Sequence, residues 1–306
     1  MHRFFITPDQ RRGQVIRFDD AQAHQMRRVL RLRPGERVMA LDGQGLQYEV
    51  ALEEVSNGRV TGLVAAQTAA TGEPRVRLTL FQSLLQRDKF EWVLQKGTEI
   101  GVAAFVPVIT RRSLVRDADD VGENKLERWR RIIREAAEQS GRGALPTIGA
   151  AVPLAAALAG LPSPQPSPVG RGSEAPSPQP SPAGRGSAAP SPQPSPTGRG
   201  SAEPSPTERG GSGSLPLGGR VRERAIIAWE GEPDRTLCQA LGETDNVTDI
   251  ALFIGPEGGY EADEVEAAAA HGVTAFTLGR RILRTETAAV VGAALVLYEL
   301  GEMGAA

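Results

Sequence analysis

The 306-residue chain has one cysteine, Cys238, three histidines, and few aromatic residues, 5% in all. A lone cysteine excludes an intrachain disulfide and an all-cysteine metal site, and a reducing, cytoplasmic compartment is the default expectation. His2, His24 and His271 are scattered, so no metal-ligand cluster is visible. Long apolar runs are missing as well. The longest, Ala288–Leu297, falls far short of the roughly 20 residues that span a bilayer, and no membrane association is expected. The opening stretch, MHRFFITPDQRRGQVIRF, lacks the apolar core of a secretory signal. Charge of one sign does not prevail either: 35 Lys and Arg face 37 Asp and Glu, a net charge of −2. The whole-chain balance therefore argues neither for nor against a nucleic-acid partner, and local distribution has to be read instead.

What is present in excess lies in the middle. SPQPSPVGRGSEAP, SPQPSPAGRGSAAP and SPQPSPTGRGSAEP follow one another from Ser163 to Pro204, and a decayed copy, SPTERGGSGS, comes after them. Such a Pro/Gly/Ser segment cannot offset its ordering entropy and is expected to be disordered. No copy carries an apolar face to stack, which argues against a solenoid. Two readings stand side by side. The segment is an arginine-dotted tether for RNA or a partner, through Arg171, Arg185, Arg199 and Arg209. Alternatively it is an expanded repeat tolerated in a surface loop, because loop length costs little free energy.

Two regions flank it. Residues 1–70 read as β-rich, with strands at 36–41, 46–55 and 59–66 and turns at DGQG (42–45) and SNG (56–58); this spacing suits a small barrel or sandwich. From Arg75 the pattern becomes alternating strands and helices. RVRLTLFQSL alternates; Asp88 with Glu91 reads as a capping pair for a helix carrying Phe90, Val93, Leu94 and Ile100, stopped by Gly101. AAFVPVIT is a buried strand. Asn124 with Glu127 reads as a second capping pair, for a helix with Leu126, Trp129, Ile132, Ile133 and Ala136 inward and Gly141 at its end. RAIIAW (224–229), DIALFI (249–254) and VTAFTL (273–278) are short apolar strands, and a last helix runs to about Leu300. The alternation predicts an α/β fold with a parallel sheet covered on both faces.

In such a sheet ligands sit at the carboxyl ends of strands. Phe253 and Ile254 end one strand, and Gly255, Pro256, Gly258 and Gly259 follow before a helix opens. Glycines there allow close approach of backbone to a ligand, though they also make plain strand-to-helix turns. LGRRILRTETA, from Leu278, likewise follows a strand and opens a helix; Arg280, Arg281 and Arg284 stand beside Ile282 and Leu283. That mixture suits a pocket gripping an aromatic ring while showing cations to an anion or carbonyl, the alternative being a loop whose arginines merely face solvent. A third strand end, AWEGE, carries Glu230. A Rossmann-type site fits poorly, because DGQG is followed by another strand and not by the required helix.

FIGPEGGYEADEVEAA together with LGRRILRTETAAVVGAAL resembles the C-terminal signature of the SPOUT methyltransferases, and within them the ribosomal small subunit methyltransferase E family, the 16S rRNA uracil-N3 methyltransferases. MHRFFI, DKFEWVLQKGTEIGVAAFVPV and KLERWRRIIREAAEQSGRGALPTI are similar to that family too. The resemblance implies a PUA-like β-barrel domain over 1–70 and a trefoil-knotted α/β methyltransferase domain over 74–306, interrupted by the insert at 161–220. It implies S-adenosylmethionine as cofactor, a homodimer with the site near its interface, and 16S rRNA of the small ribosomal subunit as partner. By motif, the cofactor-contacting positions are Glu230, Ile254, Gly255, Gly258, Leu278, Gly279, Ile282, Leu283 and Thr285. Glu261 departs from the family's usual Ser or Thr, Arg280 from its common Pro, and the repeat is not a family feature.

The implied chemistry is methyl transfer to a uridine N3, which attacks a sulfonium methyl only as its proton leaves; no metal is needed. A cation beside O2 or O4 would stabilise the resulting anion. Arg284 is assigned that role and Arg281 stands behind it, holding RNA phosphate being the alternative for either. Glu257 and Glu286 are the local carboxylates; plain structural roles, capping amides and supporting a helix, are preferred for them over general base. RNA is expected on the arginines of the N-terminal third, Arg3, Arg27, Arg28, Arg31 and Arg33, with HQMRRVLRLR (24–33) as a basic helix, and on Lys89, Lys96 and Arg142. Such phosphate contacts give affinity with little sequence reading. The rivals are a SPOUT enzyme acting on another RNA, and a non-catalytic RNA-binding protein that would have no reason to keep both C-terminal loops.

Overall fold

The computed structural model of the chain describes residues 1–86, 88–115, 121–161 and 222–304. The expected insert, apart from Leu161, lies outside the described residues.

Strands β1 (Arg3–Phe5), β2 (Arg11–Arg12), β3 (Val15–Phe18), β4 (Arg37–Leu41), β5 (Leu46–Ser56) and β6 (Arg59–Ala69) form one sheet in the order β1-β4-β5-β6-β3-β2. β1 and β4 are parallel; the other neighbours are antiparallel. Alternation sends Val38, Ala40, Tyr48, Val50 and Leu52 to one face, where they meet Phe4, Ile16 and Met26 in a single apolar core. Register shifts at Glu49/Val50 and at Leu52/Glu54 bend the long hairpin, as bulges do, and the sheet curls around that core without a ladder joining its edge strands β1 and β2. The turn after β5 uses Gly58 at φ +84°, the left-handed conformation that glycine adopts without strain. β1, β2 and β3 escape sequence reading, being two to four residues long.

The basic helix expected over 24–33 lies earlier in the chain, starting at Asp20 and ending at Val29. Helix α1 (Asp20–His24) is capped by Asp19, whose carboxylate accepts from the Gln22 N–H at 2.8 Å, and one wider turn follows over Gln25–Val29. Arg33 precedes Pro34, a position that disfavours helical backbone, and Arg31 turns to φ 55°. The chain therefore leaves the helix before Arg31.

The second sheet contains β7 (Arg77–Ser83), β8 (Ala104–Ile109), β9 (Thr147–Ile148), β10 (Val152–Pro153), β11 (Arg222–Ala228), β12 (Val247–Ile254) and β13 (Thr274–Phe276). All its ladders are parallel, and the order is β10-β8-β7-β12-β11-β13 with β9 also on β8. Helices α2 (Lys89–Ile100), α3 (Glu123–Ser140), α4 (Leu154–Ala159), α5 (Leu237–Leu241), α6 (Ala262–Ala270) and α7 (Thr285–Glu299) connect them. One face packs Leu80, Leu252 and Ile254 against Phe90, Trp129 and Ala293; the other packs Ile227 and Phe253 against Leu158, Val265 and Ala268. This two-sided burial explains why the strands read as continuous apolar runs.

The first expected capping pair holds in position only: Asp88 is the N-cap residue of α2, but its backbone is already helical and its side chain caps nothing, while Glu91 pairs with Arg128 at 2.6 Å. The second is corrected. Asn124 sits inside α3, whose N-cap is Gly122; Glu127 pairs with Arg130. Gly101 and Gly141 end their helices with positive φ, as anticipated. Where the β domain meets α3, Arg3 Nη1 donates to the Gly141 carbonyl at 2.5 Å and the Phe5 N–H donates to Glu138 Oε1 at 3.0 Å. Behind this seam Arg142 Nη2 reaches Glu73 Oε2 at 2.7 Å while its Nη1 donates to the carbonyls of Thr98 and Val102.

Candidate active site

The strand order decides what meets. β12 lies between β7 and β11, with β13 beyond β11, so three consecutive parallel strands end on one edge. From β13 the chain crosses that edge again before α7 packs back against α2, β7 and β12. The crossing is pinned by short backbone bonds. The Trp229 N–H donates to Phe276 O at 3.0 Å and the Thr277 N–H to Arg235 O at 2.9 Å. Thr285 Oγ1 donates to Gly255 O at 2.5 Å and accepts from Gln82 Nε2 at 3.3 Å. Thr285, the first residue of α7, thus ties its helix to the ends of β12 and β7.

These loops enclose a cavity of about 1170 Å³. Gly255 and Gly279 both line it, as do Glu230, Ile254, Leu278, Ile282, Leu283 and Thr285. Gly258 does not: its carbonyl accepts from Arg112 Nη1 at 2.9 Å, outside the lining. The neighbouring Gly259 does line the cavity, at φ +71°, and a Cβ there would come within 2.8 Å of Glu230 Oε1. Gly279 takes φ +103° with open space where a side chain would stand. The bare backbone at these bends is what the glycines supply.

The walls are of two kinds. Ile254, Leu278 and Leu283 give an apolar side, and Ile282 is 86% exposed at the rim. Glu230, Glu232, Asp234, Glu257 and Glu286 give carboxylates; Lys89, Arg280, Arg281 and Arg284 give cations. Arg284 is the N-cap residue of α7 without capping through its side chain. Among the described residues its guanidinium makes no recorded hydrogen bond or ion pair, nor do those of Arg280 and Arg281. Glu257 was expected to cap amides. It accepts from the Gln86 N–H at 3.4 Å, but also from Lys89 Nζ at 3.2 Å, and Glu286 Oε2 lies 3.9 Å from the same ammonium. Tyr260 is a site residue that the sequence reading passed over. It is buried against Gly255, and burial pushes its phenol pKa upward. Gln82, a buried amide next to the last residue of β7, was missed too; a polar residue in FQSL was the only signal.

The expected RNA-contacting residues are distributed unevenly. Arg28, Arg31 and Arg33 are exposed, and Arg27 donates to Asn57. Lys96 pairs with Glu99 at 2.8 Å, and Arg3 is engaged at the seam. Arg142 is corrected: it is 4% exposed, with its guanidinium engaged by Glu73 and two carbonyls, so it is not presented to a phosphate at the surface. Among the described residues no group of three or more His, Cys, Asp or Glu side chains is placed to hold a metal ion. No described helix is long and apolar enough to cross a membrane.

Comparison with known proteins matches this architecture in two parts. The family model described as RNA methyltransferase domain matches residues 72–165 and 219–297, and the one described as RNA methyltransferase PUA domain matches residues 18–64. The protein of Synechocystis sp. named Ribosomal RNA small subunit methyltransferase E is 27% identical over 295 residues, covering 96% of this chain and 77% of its own. The Bacillus subtilis protein of the same name is 32% identical over 151 residues, 48% of this chain and 59% of its own. Among solved structures, a Ribosomal RNA small subunit methyltransferase E from Neisseria gonorrhoeae bound to S-adenosyl methionine superposes with a TM-score of 0.70 at 26% identity, covering 97% of each chain.

Proposed function

We propose, because the chain belongs to the RNA methyltransferase family, that it methylates N3 of a uridine in 16S rRNA of the small ribosomal subunit, with S-adenosylmethionine as donor. One observation carries the reading: the Gly255 and Gly279 bends line a single cavity. It is supported by the Neisseria gonorrhoeae relative, which is bound to that donor. The cavity also fits the group chemically. Ile254, Leu278, Ile282 and Leu283 offer an apolar slot for an adenine, and carboxylates such as Glu230 offer counter-charge to a sulfonium and an ammonium. The bare backbone at Gly255 and Gly279 supplies the polar holds.

When bound, the donor supplies an electrophilic methyl. The chain's own residues do the rest. Arg284 holds O2 or O4 of the uracil and stabilises the negative charge that appears there as the N3 proton leaves; a preorganised donor of this kind contributes about 10²–10³-fold in rate. Arg281 stands behind it. Arg27, Arg28, Arg31 and Arg33, with Lys96, hold phosphates at a distance from the chemistry. A paired uridine has to be exposed first, because N3 lies on the pairing edge.

The finer expectations belong to this proposal. The return of the chain across the edge of β11 into α7 is read as the threaded crossing of a trefoil knot. Leu295 and Tyr298 on α7 and Trp92 on α2 are 40%, 63% and 42% exposed, and a second copy of the chain is read as their cover, giving a homodimer. The single cysteine and the ribosomal substrate suit a cytoplasmic location. Deleting the gene and probing small-subunit rRNA by primer extension tests the central reading. A reverse-transcriptase stop at one uridine should disappear, since an N3-methyl blocks pairing. An unchanged stop pattern would defeat the rRNA assignment.

A further inference from the structure

Lys89 breaks a local rule. It is the first residue of α2, where the positive end of the helix dipole disfavours a cation. It stands there where three loops converge, from β7, β12 and β13. Glu257 Oε1 accepts from its Nζ at 3.2 Å, and Glu286 Oε2 lies at 3.9 Å, too far for a hydrogen bond. That second oxygen is enclosed and has no hydrogen-bond partner, a costly state for a carboxylate. The cluster is thus left open, with an ammonium that has donors to spare on a side chain that is 40% exposed. Lys89, Glu257 and Glu286 all line the same cavity as Arg284.

We propose that Lys89 is a second catalytic cation, donating from Nζ to a uracil carbonyl oxygen as N3 loses its proton, with Glu257 and Glu286 holding it in place. The inference rests on the uridine-N3 reading above and goes beyond it by dividing the work between two cations. Charge balance supports the division. Methyl transfer joins a cationic sulfonium to an anionic base: the S–CH₃ bonding pair returns to sulfur, the N3 lone pair forms the new N–CH₃ bond, and the proton passes to bulk water. Donor and acceptor charges cancel as the bond forms, so a site that is itself near neutral fits both ends of the step. Lys89 and Arg284 against Glu257 and Glu286 make such a site. An imide anion spreads its charge over two oxygens, and two cations suit it better than one.

The test uses Lys89→Gln and Lys89→Arg in the full chain, with an rRNA fragment carrying either uridine or 5-fluorouridine at the target. Fluorine makes the N3 proton more acidic, so that base needs less help. Lys89→Gln should lower kcat about 10²-fold at neutral pH, leave the calorimetric Kd for S-adenosylmethionine within threefold, and recover as pH rises or with the 5-fluorouridine fragment. Lys89→Arg should recover part of the rate. In binding alone, the wild-type chain should prefer the 5-fluorouridine fragment at alkaline pH, and Lys89→Gln should lose that preference. A deficit constant with pH, a parallel loss of donor affinity, or a retained preference would overturn the proposal. If the wild-type chain methylates no uridine N3, the earlier reading fails and takes this one with it; if it does and Lys89→Gln is equally fast, only this inference falls.

Discussion

At the scale of single residues, position relative to the cavity separates arginines that look alike in the sequence. Arg284 lines the cavity with its guanidinium uncommitted, whereas Arg142 is buried in a clamp. Arg284→Ala should reduce single-turnover methyl transfer by about 10²–10³-fold while the calorimetric Kd for the methyl donor changes little; equal losses in both would move Arg284 to donor binding. Arg142→Met should instead act on stability. Removing one partner of a buried ion pair costs about 3–5 kcal/mol, read as a lowered midpoint of thermal unfolding with no change in donor affinity at permissive temperature. Its partner Glu73 gives this clamp a pH dependence. Burial alone would raise that carboxyl's pKa, but hydrogen bonds from Arg142 and from the Ala144 and Gly143 N–H groups outweigh it and hold it below 4.5. A carboxyl depressed by folding contributes stability above its unfolded pKa and loses it as pH falls through the folded one. The stability difference between wild type and Arg142→Met should therefore be full at neutral pH and shrink below about pH 4.5, which unfolding midpoints across pH would reveal.

At the scale of elements, how much could be read depended on length and on period. The runs that became β5, β6, β8 and β12 were legible because each is long enough to show alternation or continuous burial. β1 and β2 were not, since a two- or three-residue strand exists only through its partners. The bodies of α2, α3 and α7 were read correctly, the helix placed over 24–33 was not, and at α2 and α3 the expected side-chain caps are absent. Asp88 and Asn124 are good capping residues by type, but the chain enters α2 with helical backbone already at Asp88 and begins α3 from Gly122. Helix α7 is apolar all round, which a helix packed on one side only has no reason to be. Tyr298→Asp, on its open face, should convert the proposed dimer to a monomer in sedimentation equilibrium without lowering helical content. A species that is already monomeric in the wild type would remove that proposal.

At the scale of the whole molecule, the family match skips residues 166–218 while covering what lies on either side, so most of the repeat has no counterpart in the matched family pattern. Excising residues 163–210 should leave methyl transfer within about twofold. Shortening the connection should change stability by no more than roughly 1 kcal/mol, since closure entropy varies only with the logarithm of loop length; activity assays and a melting curve read both. A large loss of activity would mean that the arginines of the repeat hold RNA or a partner.

The division between local and tertiary information follows from what each can encode. Period, glycine placement and motif are short-range properties, and they determined the strands and helices of any length, the two-part organisation, the family resemblance and the bends at Gly255 and Gly279. The order of strands in a parallel sheet is not written in any local pattern, because every apolar strand is equally able to pair with every other. Only the tertiary structure decided that β12 enters between β7 and β11. That one choice brings Lys89, Glu257 and Arg284 to one cavity.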